Sequence, residues 1–124
     1  MADLDLFKSI NDTCGHLVGD AVLREAARRL KTAARRYDSV GRYGGEEFLI
    51  VLPDCDTECS VVVAERARAS VAAPLQVANL DWPLSVSLGV ASTRGAPEDP
   101  DGLIHAADAA LYRAKAAGRN CVAA

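Results

Sequence analysis

A chain of 124 residues, half of them apolar and a quarter charged, is long enough for one domain around one core and too short for two. Fourteen Lys and Arg against 17 Asp and Glu leave a net charge of −3, which argues against the broad surface that long nucleic acids require but leaves room for a local basic pocket on a small phosphorylated ligand. No apolar run is long enough for a bilayer, and the N-terminus lacks the basic region and apolar stretch of a signal peptide, so the sequence reads as soluble and cytoplasmic, without membrane contact.

Met1 to Asp5 closes on alternating Asp3, Leu4 and Asp5, the pattern of a strand ending, and LFKSINDTCGH leads from it into a helix. From Leu17 to Arg36, Leu23, Ala26, Ala27, Leu30, Ala33 and Ala34 recur at three and four, the stripe of an amphipathic helix. DSVGRY and EEFLIVLP flank Gly44-Gly45, a hairpin signal, because tight turns that match strand twist need positive φ. A second helix is predicted from about Thr57 to Ala73, ended by Pro74, and PLSVSLGVAS alternates Leu84, Val86, Leu88 and Val90 at the period of a strand with one face in the core. After the loop TRGAPEDPDG, an alanine-rich helix runs from Leu103 to Ala117, stopped by Gly118, and RNCV closes the chain as a short strand. The order predicts an α/β fold, an α+β sandwich with a mainly antiparallel central sheet in a βαββαβ ferredoxin-like or cyclase-palm arrangement and flanking helices.

Cys14, Cys55, Cys59 and Cys121 form no CxxC pair and have no His at metal spacing. Cys55 and Cys59, four apart, suit either a helix-face pair or a disulfide; all four are read as free thiols of a reducing compartment, carrying no chemistry.

Neighbours in a strand point to opposite faces, so Glu46 and Glu47 cannot share one task. If Asp3 ends a strand beside the hairpin, Asp3 and one of these glutamates converge on a hard cation, and Mg²⁺ prefers one or two carboxylates with phosphate oxygens and water. Gly44 and Gly45 let the backbone approach a ligand; the same residues also suit a merely solvated acidic turn. Lys115 and Arg119 near a helix end suit phosphate contacts or the helix dipole. Arg35 and Asp38 in RRYD suit a ligand fork or an ordinary i, i+3 ion pair.

GGEEF at Gly44 to Phe48, DLDLFKSINDTCGHLVGD at Asp3 to Asp20 and ADAALYRAKAAGRN at Ala107 to Asn120 together resemble the GGDEF domain of diguanylate cyclases, in that family's order and over essentially the whole chain. The resemblance implies an enzyme that joins two GTP molecules into cyclic di-GMP and two pyrophosphates, with each of two facing domains of a homodimer holding one GTP. By the same resemblance, Asp3, Glu46 and the Leu4 carbonyl hold Mg²⁺, or Mn²⁺ in its place, and Glu47 is the second acidic position, credited with metal or transition-state contacts. Asn11 and Asp20 resemble the guanine readers, the amides of Leu6, Phe7 and Lys8 the cradle of the terminal phosphates, and Lys115 and Arg119 the cations that join it. Arg35 and Asp38, an RxxD pattern before the glycines, with Arg66, resemble an inhibitory site for cyclic di-GMP. Members of the family begin further upstream, with a helix and a complete first strand, so the resemblance implies a single domain over residues 1–124 that lacks that helix and most of that strand. The alternative reading is a module that binds cyclic di-GMP or GTP without catalysis.

Overall fold

The computed structural model describes residues 1–74, 83–94 and 99–124. In chain order the elements are β1 (Ala2–Leu4), α1 (Phe7–Cys14), α2 (His16–Ala33), β2 (Ser39–Gly44), β3 (Glu47–Val51), α3 (Thr57–Ala72), β4 (Val86–Gly89), α4 (Pro100–Ala116) and β5 (Val122–Ala123). The five strands lie in the order β2-β3-β1-β4-β5. All neighbours are antiparallel except β4 and β5, so the expected mainly antiparallel α+β sheet is what the chain adopts.

The short strand β1 is the middle of the sheet, and its alternation sorts the molecule into layers. Ala2 and Leu4 point into the larger core, with Phe7 and Ile10 of α1, Val22 and Leu30 of α2 and Val71 of α3. Met1, on the other face, packs with Ala107 and Leu111 of α4. The alanines of α4 are explained at Gly89, where a Cβ would run into the backbone of Ala107 and Leu111. Only a helix with a small-residue face lies so close to a strand.

Four local expectations are corrected. The hairpin turn is Gly45-Glu46, not Gly44-Gly45: Gly44 pairs with Glu47 after an irregularity in the register following Arg42, and neither glycine has a positive φ. The LFKSIND segment forms its own helix, broken from α2 at Gly15, whose φ of 83° a side chain would resist. Helix α4 begins at Pro100, ahead of Leu103, because Asp99 caps it through the Gly102 amide at 2.9 Å and proline suits a first turn. Cys55 and Cys59 are joined in a disulfide, with Cys14 and Cys121 free. Cys55 precedes the N-cap Asp56, so the pair spans the entry of α3 rather than one helix face, with Cα atoms 5.4 Å apart. Part of the loop predicted before α4, residues 95–98, lies outside the described residues. Among the described residues no helix is long and apolar enough to cross a membrane.

Helices α2 and α3 run antiparallel and are tied by two arginines, each of which reaches the C-terminal end of the other helix. The guanidinium of Arg29, itself buried, donates to the carbonyls of Ser70, Val71, Ala73 and Pro74 and to Glu25 Oε1. In return Arg66 Nε of α3 donates to the Ala33 carbonyl at 2.6 Å. These carbonyls have no partner within their own helices. Replacing Arg29 by Ala strands them, and the expected loss is about 3 kcal/mol, in the range for breaking a buried charged network. Arg29→Lys recovers less than half of it, since one ammonium cannot span the fan of acceptors that a planar fork reaches. Urea denaturation of the three proteins measures this; equal stabilities would refute it.

Candidate functional site

The sheet brings three acidic residues together where β1 meets the hairpin. Asp3 is the register partner of Glu47, which places both on one face, and the Leu4 amide donates to the Glu46 carbonyl at 3.2 Å, which fixes the turn beside the strand end. Asp3 is buried, and its Oδ2 lies 2.8 Å from Lys115 Nζ of α4. Burial raises the Asp3 carboxyl above its ordinary value against the opposing hydrogen bond and charge of Lys115, and the charges of Glu46 and Asp5 push the same way as burial. A Cβ on Gly45 would meet nothing within 4 Å, and one on Gly44 only the Glu47 carboxylate, so space stands open over the turn.

Past β1 the chain turns through Leu6, a non-glycine residue held at φ 57°, ψ 25° and exposed. Such a residue costs on the order of 1–3 kcal/mol and persists only where its surroundings demand it. It opens α1, whose first turn has no side-chain cap, so the leading amides around Phe7 and Lys8 are presented outward in the manner of an anion site. On the same helix, Asn11 Oδ1 is buried with no hydrogen-bond partner, a rare condition for a polar atom. Helix α2 crosses it at Gly19, where a Cβ would collide with the Asn11 side chain. Asp20, the next residue, is exposed. Asn11 and Asp20 are thereby brought to one helix crossing.

Lys115 and Arg119 stand at the end of α4. Lys115 is engaged by Asp3, whereas the exposed guanidinium of Arg119 makes no hydrogen bond among the described residues. Arg119 and Asn120 are both left-handed, at φ 64° and 47°, directly after Gly118 at 115°.

Arg35, Asp38 and Arg66 meet elsewhere, past the end of α2. Arg35 holds the buried Asp38 carboxylate through Nε and Nη2 at 2.9–3.2 Å, and its backbone amide donates to the same group at 2.6 Å. These bonds pull the Asp38 carboxyl below its ordinary value. Arg35 and Arg66 both line an open depression of about 460 Å³, with Asp56, Glu58, Cys59 and Val62. The disulfide is part of its wall, with Arg35 Nη1 3.7 Å from Cys59 Sγ.

Sequence reasoning missed Asp5. It is buried, and its carboxylate accepts from Ser85 Oγ and Ser87 Oγ, both at 2.7 Å, and from the Asn120 amide at 3.0 Å. The signal was available in two polar alternations, D-L-D and S-V-S, that face each other across β1 and β4.

Among the described residues no group of three or more His, Cys, Asp or Glu side chains forms a metal cage. The donors at hand are hard oxygens of Asp3 and Glu46, which suit Mg²⁺, an ion that keeps water and substrate phosphates in its shell and needs few protein ligands.

Residues 1–121 match the family model described as diguanylate cyclase, GGDEF domain. The response regulator PleD of Caulobacter vibrioides is 46% identical over 98% of this chain, which covers 28% of that protein. The active GGEEF domain of a diguanylate cyclase from Vibrio cholerae superposes with a TM-score of 0.89 at 34% identity, over 98% of this chain and 78% of that one. The GGDEF domain of DgcB from Caulobacter crescentus, solved in complex with c-di-GMP, gives a TM-score of 0.87 at 33% identity, over 98% and 73% of the two chains. The chain spans about a fifth to a third of the length of the curated relatives it matches.

The raised value of Asp3 fixes the sign of a stability effect. A carboxyl whose value is higher folded than unfolded opposes folding once ionised, so its cost is absent at low pH and grows as pH rises through the folded value. Asp3→Asn removes that cost. In EDTA at neutral pH the variant is expected to melt above the parent, with the gain shrinking on acidification; thermal scans across pH in which the variant melts at or below the parent at neutral pH would contradict this.

Proposed function

The chain belongs to the diguanylate cyclase GGDEF domain family, and on that premise we propose that it condenses two GTP molecules into cyclic di-GMP and two pyrophosphates, each of two facing copies holding one GTP. The observation that carries this reading is the approach of the Glu46 charge to Asp3 at the end of β1, with the uncapped amides of α1 following directly and, farther along that helix, the orphaned oxygen of Asn11. Each answers a different part of a nucleoside triphosphate.

In this reading Asp3, Glu46 and the Leu4 carbonyl hold Mg²⁺ or Mn²⁺, with Glu47 beside them; the ion, when bound, lowers the pKa of the attacking 3′-hydroxyl and offsets charge on the α-phosphate. The chain's own part is to bind and align. The amides of Leu6, Phe7 and Lys8 cradle the terminal phosphates, and Lys115 and Arg119 neutralise them. Lys115, paired with Asp3 in this structure, would be released to the phosphates if Asp3 held the cation. Asn11, which both donates and accepts, and Asp20, which accepts from the N1–H and N2–H₂ edge, read guanine. Gly44 and Gly45 leave room for the nucleotide.

Product binds separately, in the depression lined by Arg35 and Arg66. Asp38 orients Arg35 there, and the guanidiniums suit guanine edges and phosphates. Occupation of this site restrains the cyclase.

Incubation with GTP and Mg²⁺, followed by mass spectrometry, is expected to yield cyclic di-GMP, and Glu46→Gln, which keeps shape and removes one charge, is expected to abolish it. Full turnover by Glu46→Gln would refute the metal assignment, and GTP binding without product would leave the binding module instead. For the second site, calorimetry on Arg35→Ala should give a ten- to hundredfold weaker affinity for cyclic di-GMP, as befits the loss of a charged hydrogen bond of about 1.5–3 kcal/mol, with GTP affinity unchanged. An equal loss for both ligands would mean that Arg35 only braces the end of α2.

A further inference from the structure

Resting on that reading of the site, we infer that Asp5 is a positioning residue that sets the Arg119 side chain against the terminal phosphates by holding the turn after α4. Asp5 spends a buried carboxylate on three neutral donors, Ser85 Oγ, Ser87 Oγ and the Asn120 amide. Burying a charge without a cation is costly. Joining β1 to β4 does not require it, since the backbone ladder pairs Ala2, Asp3 and Leu4 with Leu88, Ser87 and Val86, and the Asp5 amide donates to the Ser85 carbonyl at 2.9 Å. What Asp5 adds is the hold on Asn120.

That hold falls where the backbone most needs it. Gly118, Arg119 and Asn120 are three successive residues at positive φ, a conformation that glycine and asparagine tolerate and the Arg119 side chain disfavours. The turn is pinned on one side by the Arg119 amide on the Ala114 carbonyl at 3.2 Å, and on another by Arg68 Nη1 on Asn120 Oδ1 at 2.9 Å. Asp5 supplies the third support, from just past the strand that carries Asp3.

The geometry is that of two rungs. Asp3 stands in β1 and Asp5 one residue past its end, while Lys115 stands in the last turn of α4 and Arg119 in the turn that follows it. The first rung is the direct contact of Asp3 with Lys115 at 2.8 Å. The second is indirect: Asp5 grips the backbone and leaves the Arg119 guanidinium free for a ligand.

A double-mutant cycle in GTP binding tests this by calorimetry. Arg119→Ala is expected to weaken GTP about tenfold or more. Asp5→Ala should weaken it to a similar extent alone, add little in the Arg119→Ala background, and leave GMP, which lacks the terminal phosphates, unaffected. Asp5→Asn should recover most of the loss, because the Ser87 hydroxyl can turn from donor to acceptor while the amide oxygen still takes the Asn120 N–H. An additive cycle, or an equal loss for GMP, overturns the proposal in favour of a purely structural role. If Asp5→Ala fails to fold, the cycle is run with Asp5→Ser, which keeps a polar group in place but is one bond too short for Asn120. If the parent chain binds no GTP, it is the functional reading that falls; the hold on the turn is then decided by hydrogen exchange at Asn120, protected in the parent and fast in the Asp5 variants if the inference stands, and fast in both if it does not.

Discussion

Two buried carboxylates, one in the central strand and one just past its end, set the terms for everything around them. The opposite face of β1 is ordinary, with Ala2 and Leu4 sealed into the core. The face toward α4 changes character within three positions, from Met1 packed on Leu111 to Asp3 and Asp5, neither more than 6% exposed. Ionised groups so placed are tolerated only with partners, and each partner shapes an element: Lys115 draws the end of α4 toward the strand, Ser85 and Ser87 occupy the facing positions of β4, and the Asn120 amide turns inward. The acidic strand is expensive for the fold and organises one side of it.

The same end of the molecule collects other costs. Leu6 is left-handed, Asn11 has an oxygen without a partner, and Arg119 bends in a direction that its side chain resists. None of these improves packing. Local rules broken together in one place are the mark of a surface shaped for a ligand rather than for stability. The depression at Arg35 and Arg66 is different in kind: its arginines already serve neighbouring carbonyls and Asp38, so it stands preformed.

Much of this was legible in the chain. Hydrophobic period placed α2 and the strand at Val86, Pro74 marked the end of α3, the hairpin signal set Asp3 beside a glutamate, and the family resemblance set Arg35 beside Arg66. Where the reading slipped, the cause was an interaction that pattern does not encode. Two adjacent glycines signal a turn but not its register, which the pairing of Asp3 with Glu47 sets one residue later. A lysine near a helix end reads as a phosphate ligand or a dipole partner, and only the fold puts it on Asp3. The cysteine pair straddles a helix start, so counting residues as if along a helix face could not decide its state. Asp5 escaped because a single polar residue in a strand has no meaning until the serines facing it across the sheet are known.

The arginine ties between α2 and α3 have a mechanical consequence. The two helices run antiparallel, so the C-terminal end of each lies beside the body of the other, and Arg29 and Arg66 each reach across to the negative end of the neighbouring helix dipole. Arg66 thus serves two masters, the last carbonyl of α2 and whatever anion enters the depression, and a ligand that draws it away loads the end of α2. That helix of 18 residues is a rod of about 27 Å, and its far end carries Gly19, packed directly against the Asn11 side chain. Ala33 and the crossing of α1 and α2 are thus the two ends of one rigid element, with the depression at one end and Asn11 at the other.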